Sequence, residues 1–427
     1  MPADTIFALS SGSPPAGIAV VRISGPDADS ALLALAGRLP EPRRATVAAL
    51  CHPLNGELLD RALVLRFPGP ASATGEDVAE LHLHGGRSVV AAILGALAAV
   101  PGLRQAEPGE FTRRAFASGR IDLAEAEGLA DLLAAETEAQ RRAALRLAGG
   151  ALSREVERWQ AELLGLAAEL EAALDFADEG DVGADLPPGW RDRLALLCRE
   201  LQAALARPSA ERLRDGIRVT LAGPPNAGKS SLFNALAERE AAIISPVPGT
   251  TRDLIEAPVA IAGMPFLLVD TAGLRESRDA VEAIGVERAR SSLAAADIIL
   301  WLGDPEAAPG RGRTIVIGAK SDLGPPPPGI DLAVSALTGE GLERLVACLE
   351  GRAKSLLPGE GEIAVNARHR AILRDVLESL GDAGSTTDLL IAAESLRLAR
   401  LALDRLTGRA GVEDMLDALF GRFCIGK

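Results

Sequence analysis

One octapeptide in this chain has the residue types and the spacing to hold phosphate. Gly223-Pro224-Pro225-Asn226-Ala227-Gly228-Lys229-Ser230 fits G-x-x-x-x-G-K-[ST], between a strand-like run and a helical pattern, which is the setting the pattern requires. Glycines let backbone N–H groups close around phosphate oxygens, and the helix that follows directs its positive end at them. Lys229 is placed for the β and γ oxygens and the Ser230 hydroxyl for Mg²⁺, with Asn226, Ala227, Gly228 and Ser231 completing the cradle. Four shorter runs follow in order. Gly249-Thr250-Thr251 offers a hydroxyl to Mg²⁺, assigned to Thr251, and a backbone N–H to the γ-phosphate. In Asp270-Thr271-Ala272-Gly273, Asp270 holds Mg²⁺ through water and the Gly273 N–H faces the γ-phosphate. In Lys320-Ser321-Asp322, the carboxylate pairs with the N1–H and exocyclic amine of guanine, which adenine lacks. Ser335-Ala336 suits the loop beside the base. The chemistry these runs describe is binding and hydrolysis of GTP to GDP.

Such runs work only at the ends of strands. Ile217–Ala222, Phe266–Val269, Ile298–Leu302, Thr314–Ile317 and Leu332–Val334 are short apolar, β-branched runs that alternate with helical patterns. That alternation predicts a mostly parallel sheet with helices on both faces and ligands at the carboxyl ends, a Ras-like P-loop GTPase domain over 214–357. Flanking it, Leu123 to Leu205 carries Ala, Leu, Glu and Arg at helical spacing, interrupted by Asp178 to Gly189, and the pattern returns after Pro358 and runs to Phe420. The apolar positions are too dense for a two-stranded coiled coil, so residues 119–213 and 358–427 read as one discontinuous helical bundle. Residues 1–118 read as a separate α+β domain, with strands at Gly17–Ile23, Arg61–Phe67 and Val78–His84 and a helix over Ser88–Ala99. The fold class is multidomain α/β.

At about 150 residues per domain, 427 residues give about three domains. Hydrophobic residues at 48% and charged residues at 24% support a large core and exclude wholesale disorder. Aromatic residues at 3%, with no Tyr, argue against a nucleic-acid binder built on stacking. A net charge of −14 argues against gripping RNA through its phosphates, so an RNA partner needs a second protein or a local basic patch. Cys51, Cys198, Cys348 and Cys424 form no CxxC pair, so neither a disulfide framework nor a zinc site is expected, and a reducing cytoplasm is. Neither a signal peptide nor a membrane span is expected. His82 and His84 share a strand face, but with no third ligand near in sequence they read as surface or packed side chains. The chain has four lysines and 41 arginines, which makes Lys229, Lys320, Lys354 and Lys427 candidates for work that wants a compact ammonium.

The chain resembles the bacterial tRNA modification GTPase family MnmE (TrmE) over essentially its whole length. The resemblance rests on Gly75-Glu76-Asp77-Val78 and Pro108-Gly109-Glu110-Phe111-Thr112-Arg113-Arg114-Ala115-Phe116. It also rests on Gly249-Thr250-Thr251-Arg252-Asp253, on Asp270-Thr271-Ala272-Gly273-Leu274-Arg275-Glu276, and on the tail Phe423-Cys424-Ile425-Gly426-Lys427. It implies a homodimer that works in a heterotetramer with an FAD-dependent MnmG (GidA)-type protein, which carries much of the tRNA contact. Together they would add a carboxymethylaminomethyl or aminomethyl group at C5 of the wobble uridine of certain tRNAs. The one-carbon unit would come from a tetrahydrofolate derivative, the 5,10-methylene or 5-formyl form, bound by residues 1–118, which also dimerise.

The resemblance implies residue roles as well. Leu274 stands where Ras-type GTPases orient water with Gln, and Glu282 matches the family's catalytic carboxylate, alongside Lys229, Thr251 and Gly273. A K⁺ ion is implied at Asn226, Ser245, Val247 and Thr250, within a loop over Ser245–Thr250. Arg22, Glu80, Arg120 and Lys427 match folate contacts, a cation meeting the glutamyl carboxylates and a carboxylate the amino-pyrimidine edge. The tail is implied to fold over that centre, with Cys424 either an active-centre thiol or simply packed; its place four residues from the end is that of a prenylation box, but Gly426 and Lys427 fit that signal badly. One position departs: the family's Asn-Lys-x-Asp reads Ala319-Lys320-Ser321-Asp322 here, so guanine preference should persist through Asp322 while affinity falls. Two other readings are a regulatory GTPase switch in ribosome assembly, without one-carbon chemistry, and a scaffold that no longer turns GTP over. Folate binding separates the first from an enzyme, and a hydrolysis assay separates the second.

Overall fold

A computed structural model describes residues 4–177, 186–239, 255–271, 290–310, 312–359, 361–409, 416, 419–421 and 423–427. The chain forms two compact units, Met1–Ala130 with Asp404–Lys427, and Asp131–Leu403.

The first unit is built on a six-stranded sheet of β1 (Thr5–Leu9), β2 (Ile18–Ser24), β3 (Thr46–Cys51), β4 (Leu58–Phe67), β5 (Val78–His84) and β6 (Leu103–Gln105). The order is β3-β4-β5-β2-β1-β6, antiparallel except for the parallel β1–β6 pair. Alternation along β2 and β5 sends Ala19, Val21, Ile23, Ala79, Leu81 and Leu83 into a core with Leu32 and Leu35 of helix Ala28–Ala36 and Ile93 and Leu97 of helix Arg87–Ala98. The same period of two puts Arg22, Glu80 and His82 on the opposite face. The strands expected at 17–23, 61–67 and 78–84 and the helix at 88–99 are all present, whereas β1, β3 and β6 were not foreseen. Thr46–Cys51 contains two alanines, which lack strand preference, and β6 has only three residues.

In the second unit the sheet contains β7 (Ile217–Ala222), β8 (Ile255–Ile261), β9 (Met264–Asp270), β10 (Ile298–Trp301), β11 (Thr314–Ala319) and β12 (Leu332–Val334). Its order is β12-β11-β10-β7-β9-β8, parallel throughout except for β8 against β9. Val219, Leu221, Leu268, Leu300, Ile315 and Ile317 line one face and pack on helices Lys229–Arg239 and Leu342–Leu356. The other face differs from the expectation of helices throughout. Among the described residues, the β10–β11 and β11–β12 connections hold only single 3-10 turns at Pro305–Ala307 and Ser321–Leu323. Pro325 to Pro328 cannot donate helical hydrogen bonds, so a proline-rich strap covers β11 instead. Pro326 and Ile330 lie 3.0 and 2.7 Å from where a Cβ on Gly318 would stand.

The helical stretch breaks more often than expected. Gly149-Gly150 separates helices Glu138–Ala148 and Ala151–Ala177, and Thr137 with Gln140 forms a capping box that starts the first of them. Helix Trp190–Ala206, which buries Trp190, Leu194, Leu197 and Leu201, packs on helix Ala367–Ser385, which buries Leu373, Val376 and Leu380. These two helices flank the inserted sheet in sequence. The insertion's ends meet: Ser209 and Val365 form a parallel bridge, and Ala210 N donates to Val365 O at 3.1 Å.

Candidate functional site

β7 ends at Ala222 and passes the chain to the loop 223–228. Gly223 has φ +147°, and a Cβ there would stand 2.8 Å from the Leu302 carbonyl oxygen, so only glycine lets the loop start against the end of β10. Asn226 at φ +59° and Gly228 at φ +97° turn the backbone before Lys229 opens its helix. Lys229 is buried, and its Nζ donates to Gly223 O (3.1 Å) and Pro224 O (2.8 Å), so the loop's own carbonyls cage the ammonium. The Ser230 Oγ donates to Asp270 Oδ2 at 2.7 Å. A hydroxyl and a fully buried carboxylate, 40 residues apart in sequence, thus converge at the ends of β7 and β9; a pure oxygen donor set of this kind suits a hard cation such as Mg²⁺. Thr271 Oγ1 donates to Leu221 O at 2.8 Å and ties the two strand ends together.

At the base end, Lys320 adopts φ +60°, and its Nζ donates to Asn226 O at 2.9 Å, linking this loop to the phosphate loop. Ser335 Oγ donates to Asp322 Oδ1 at 2.6 Å and accepts from Thr338 N at 3.1 Å, which fixes the Asp322 carboxylate at the exposed rim; Ala336 lies beside it, half-buried. The structure therefore brings Asn226, Ala227, Gly228, Lys229, Ser230, Ser231, Asp270, Lys320, Asp322, Ser335 and Ala336 to the carboxyl ends of the strands. Ser245, Val247, Thr250, Thr251, Gly273 and Glu282 lie outside the described residues. The Ala319 Cβ is 3.5 Å from where a Cβ on Gly228 would stand, so a carboxamide at 319 would reach the phosphate loop. Ala319→Asn is expected to tighten GDP about fivefold, the worth of one regained hydrogen bond of about 1 kcal/mol. Titration calorimetry returning equal affinities for the two proteins would refute this.

A second cluster lies in the first unit. Arg22 and Glu80 are cross-strand partners, and Arg22 Nε and Nη2 both donate to Glu80 Oε1, at 3.0 and 2.9 Å. The Arg22 guanidinium also stands 5.8 Å from the Phe111 ring centroid. Arg120 is exposed, its stem 3.3 Å from where a Cβ on Gly75 would stand. The tail crosses the same sheet: Ile425 bridges Pro108, and a Cβ on Gly426 (φ +97°) would stand 2.0 Å from Leu9 O, one residue along β1 from the Ala8 that pairs with Arg22. Phe423 is buried with Phe420, Leu123 and Ala126, Lys427 is half-buried and Cys424 exposed. His84 pairs with Asp60 and His82 faces Glu80; among the described residues no three side chains form a metal-binding group.

Two of the sequence runs specific to this domain turn out to be spent on each other. Arg114, 4% exposed, donates to Asp4, Glu76 and Glu110, and Arg104 reaches Glu110 and Asp4. Burial works to raise the Glu110 carboxyl, but hydrogen bonds from Arg104, the Glu107 N–H and Arg114 outweigh it and hold it below its ordinary 4.5. Asp4 is likewise held below its ordinary 3.8, burial being outweighed by Arg104 and Arg114. Carboxyls depressed in the folded state stabilise it fully above their unfolded values, and the contribution is lost as pH falls through the folded ones. The melting temperature should thus decline as pH drops below about 4.5. Glu110→Ala, which removes one of the three carboxylates around the buried Arg114 and leaves it Asp4 and Glu76, should cost about 2 kcal/mol at pH 7 and show a shallower acid decline. Equal acid declines for the two proteins in parallel melts from pH 7 to pH 3 would refute the idea.

The family described as "GTP-binding protein TrmE N-terminus" matches residues 5–120, and the family described as "MnmE helical domain" matches residues 123–424. A tRNA modification GTPase MnmE of Rhizorhabdus wittichii is 63% identical over 428 residues, covering 99% of this chain and 97% of its own length. One from Novosphingobium aromaticivorans is 58% identical over 441 residues, covering 99% and 100%. With a nucleotide cradle in the second unit and both halves of the chain matched over their full span, this chain belongs to the tRNA modification GTPase MnmE family.

Proposed function

We propose that this GTPase modifies C5 of the wobble uridine of certain tRNAs. It would act as a homodimer, jointly with an FAD-dependent MnmG-type protein, and use a one-carbon unit carried by 5,10-methylene- or 5-formyltetrahydrofolate. The observation that carries the reading is the half-buried Arg22–Glu80 pair, set beside Phe111 on the face of the first sheet opposite its main apolar core, with the tail passing β1 one residue away. Arg22 donates to Oε1 of that carboxylate at both contacts, which leaves Oε2 for a further donor. Its donor set fits a reduced folate: the carboxylate meets the amino-pyrimidine edge, and Arg22, Arg120 and Lys427 supply cations for the glutamyl tail. Bound there, the folate supplies an activated one-carbon unit. Residues 1–118 would hold it and dimerise, 119–213 and 358–427 would form the helical bundle, and 214–357 would hydrolyse GTP in the cytoplasm.

For hydrolysis, Ser230 and Thr251 would hold Mg²⁺ and Glu282 would orient water. Lys229 and the Gly273 N–H would stabilise charge on the γ-phosphate. Asn226, Ser245, Val247 and Thr250 would hold K⁺; equal hydrolysis rates in K⁺ and Na⁺ would remove that part of the reading. No helix among the described residues is long and apolar enough to cross a membrane. The whole reading is tested by mass spectrometry of tRNA nucleosides after gene deletion. C5-modified wobble uridines should disappear, and their persistence would leave the chemistry to another protein.

A further inference from the structure

The phosphate loop begins with two residues that their own backbone cannot tie down. Pro224 and Pro225 have no N–H to donate, so packing has to hold the chain there. The residue before them is fixed by the end of β10: Leu302 N donates to Ala222 O at 2.7 Å, and Gly223 lies against the Leu302 carbonyl. Pro224 meets the same strand end. Its Cδ lies 3.0 Å from where a Cβ on Gly303 would stand, and Cε2 and Cζ2 of Trp301 lie 2.9 and 3.0 Å from that same point. Indole and pyrrolidine thus converge on the one space that a side chain at 303 would need. Trp301 ends β10, in register with Ala222 at the end of β7 and with Val316 of β11. Its Nε1 donates to Asp304 O at 2.9 Å, and Asp304 Oδ1 accepts from Glu306 N at 2.9 Å, so the ring is tethered to a capped turn.

The carbonyl of Pro224 faces the reaction, since it accepts from Lys229 Nζ at 2.8 Å. We propose that Trp301 is a positioning residue for GTP hydrolysis, seating Pro224 so that the Lys229 ammonium is aimed at the phosphate. The indole is a rigid plate with two side-chain torsions, pinned by its own N–H, so it can brace a neighbour at little cost in entropy. With the ring removed, Pro224 has no donor with which to recover its place, and one wall of the ammonium cage shifts.

The test is single-turnover hydrolysis by the full-length protein at saturating GTP, arranged as a double-mutant cycle. With Lys229 in place, Trp301→Ala is expected to slow the step about tenfold, a part of the roughly hundredfold that a misplacement of about 1 Å can cost. In the Lys229→Ala background the same substitution should change the rate by less than about twofold, because no ammonium is left to misdirect. A slowing of equal size in both backgrounds would mean that Trp301 does not act through Lys229, and would overturn the proposal. An undiminished rate for Trp301→Ala alone would do the same. A wild-type measurement guards against a misfolded variant. Trp159 and Trp190 are each 1% exposed, whereas Trp301 is half-buried beside the loop. When phosphate oxygens take over the ammonium, the Pro224 carbonyl is released and the indole's surroundings change. Tryptophan emission should therefore shift when GDP and Mg²⁺ are added to the wild-type protein, and stay constant in Trp301→Phe. Wild-type emission that GDP leaves unmoved likewise overturns the proposal.

Discussion

Replacing Lys229 by Ala is expected to lower the GTP turnover number about a hundred- to a thousandfold, the usual cost of losing one preorganised charge at a reacting phosphate. The buried ammonium donates to Gly223 O and Pro224 O, neutral acceptors that phosphate oxygens can replace. Lys229→Arg should not restore the rate. A planar fork needs room and donor directions that a cage built for three tetrahedral N–H groups does not offer, and this chain, which otherwise uses 41 arginines for four lysines, keeps Lys here. Single-turnover hydrolysis at saturating GTP is the measurement. A rate within tenfold of wild type for Lys229→Ala would place the phosphate-stabilising charge elsewhere.

Removing Cys424–Lys427 should abolish tRNA modification and leave GTP hydrolysis within about twofold, since the nucleotide cradle is assembled entirely within the second unit. Phe423 must stay, because it is buried against Phe420 and Leu123, and deleting it would test packing instead. A finer variant is Gly426→Val. At φ +97°, with Leu9 O only 2.0 Å from where its Cβ would stand, the side chain forces the tail off β1 without shortening it. Both variants should lose the modified nucleoside in a reaction reconstituted with the proposed FAD-dependent partner. Cys424→Ser then separates the thiol from the tail: loss of modification with an unchanged melting temperature favours a chemical role for Sγ. A truncated protein that modifies tRNA at the native rate would end the docked-tail reading.

Much of the nucleotide site was legible because its signals are local. Gly223 to Ser230 follows an apolar β-branched strand, and β7 and β12 run over the residues expected from that pattern. Other features depend on pairing that no single run encodes. That Arg22 is opposite Glu80, and so neutralised by it, follows from the β2–β5 register. The spending of Glu76, Glu110 and Arg114 on one another needs the folded unit to be seen. Other signals are local as well. Gly149-Gly150 and the Thr137–Gln140 capping box mark helix ends by ordinary rules, and four successive prolines exclude a helix between β11 and β12.

The bridge between Ser209 and Val365 makes the sheet of the second unit a clip for the helices around it. With that insertion unfolded, bringing helix 190–206 to helix 367–385 means closing a loop of roughly 150 residues; with it folded, the two chain ends already emerge side by side. Counting the folded insertion as a link of about ten residues, the difference in closure entropy is about 2.4 kcal/mol. Anything that binds only the folded insertion stabilises it by mass action, and the gain passes to the helices through this link. Guanine nucleotide bound to the folded insertion thus stabilises the packing of helix 190–206 on helix 367–385 as well as its own cradle. The first unit has the complementary dependence: its sheet meets Ile425 and Gly426 only after residues 404–427 have emerged, so the part made first is the last to be completed.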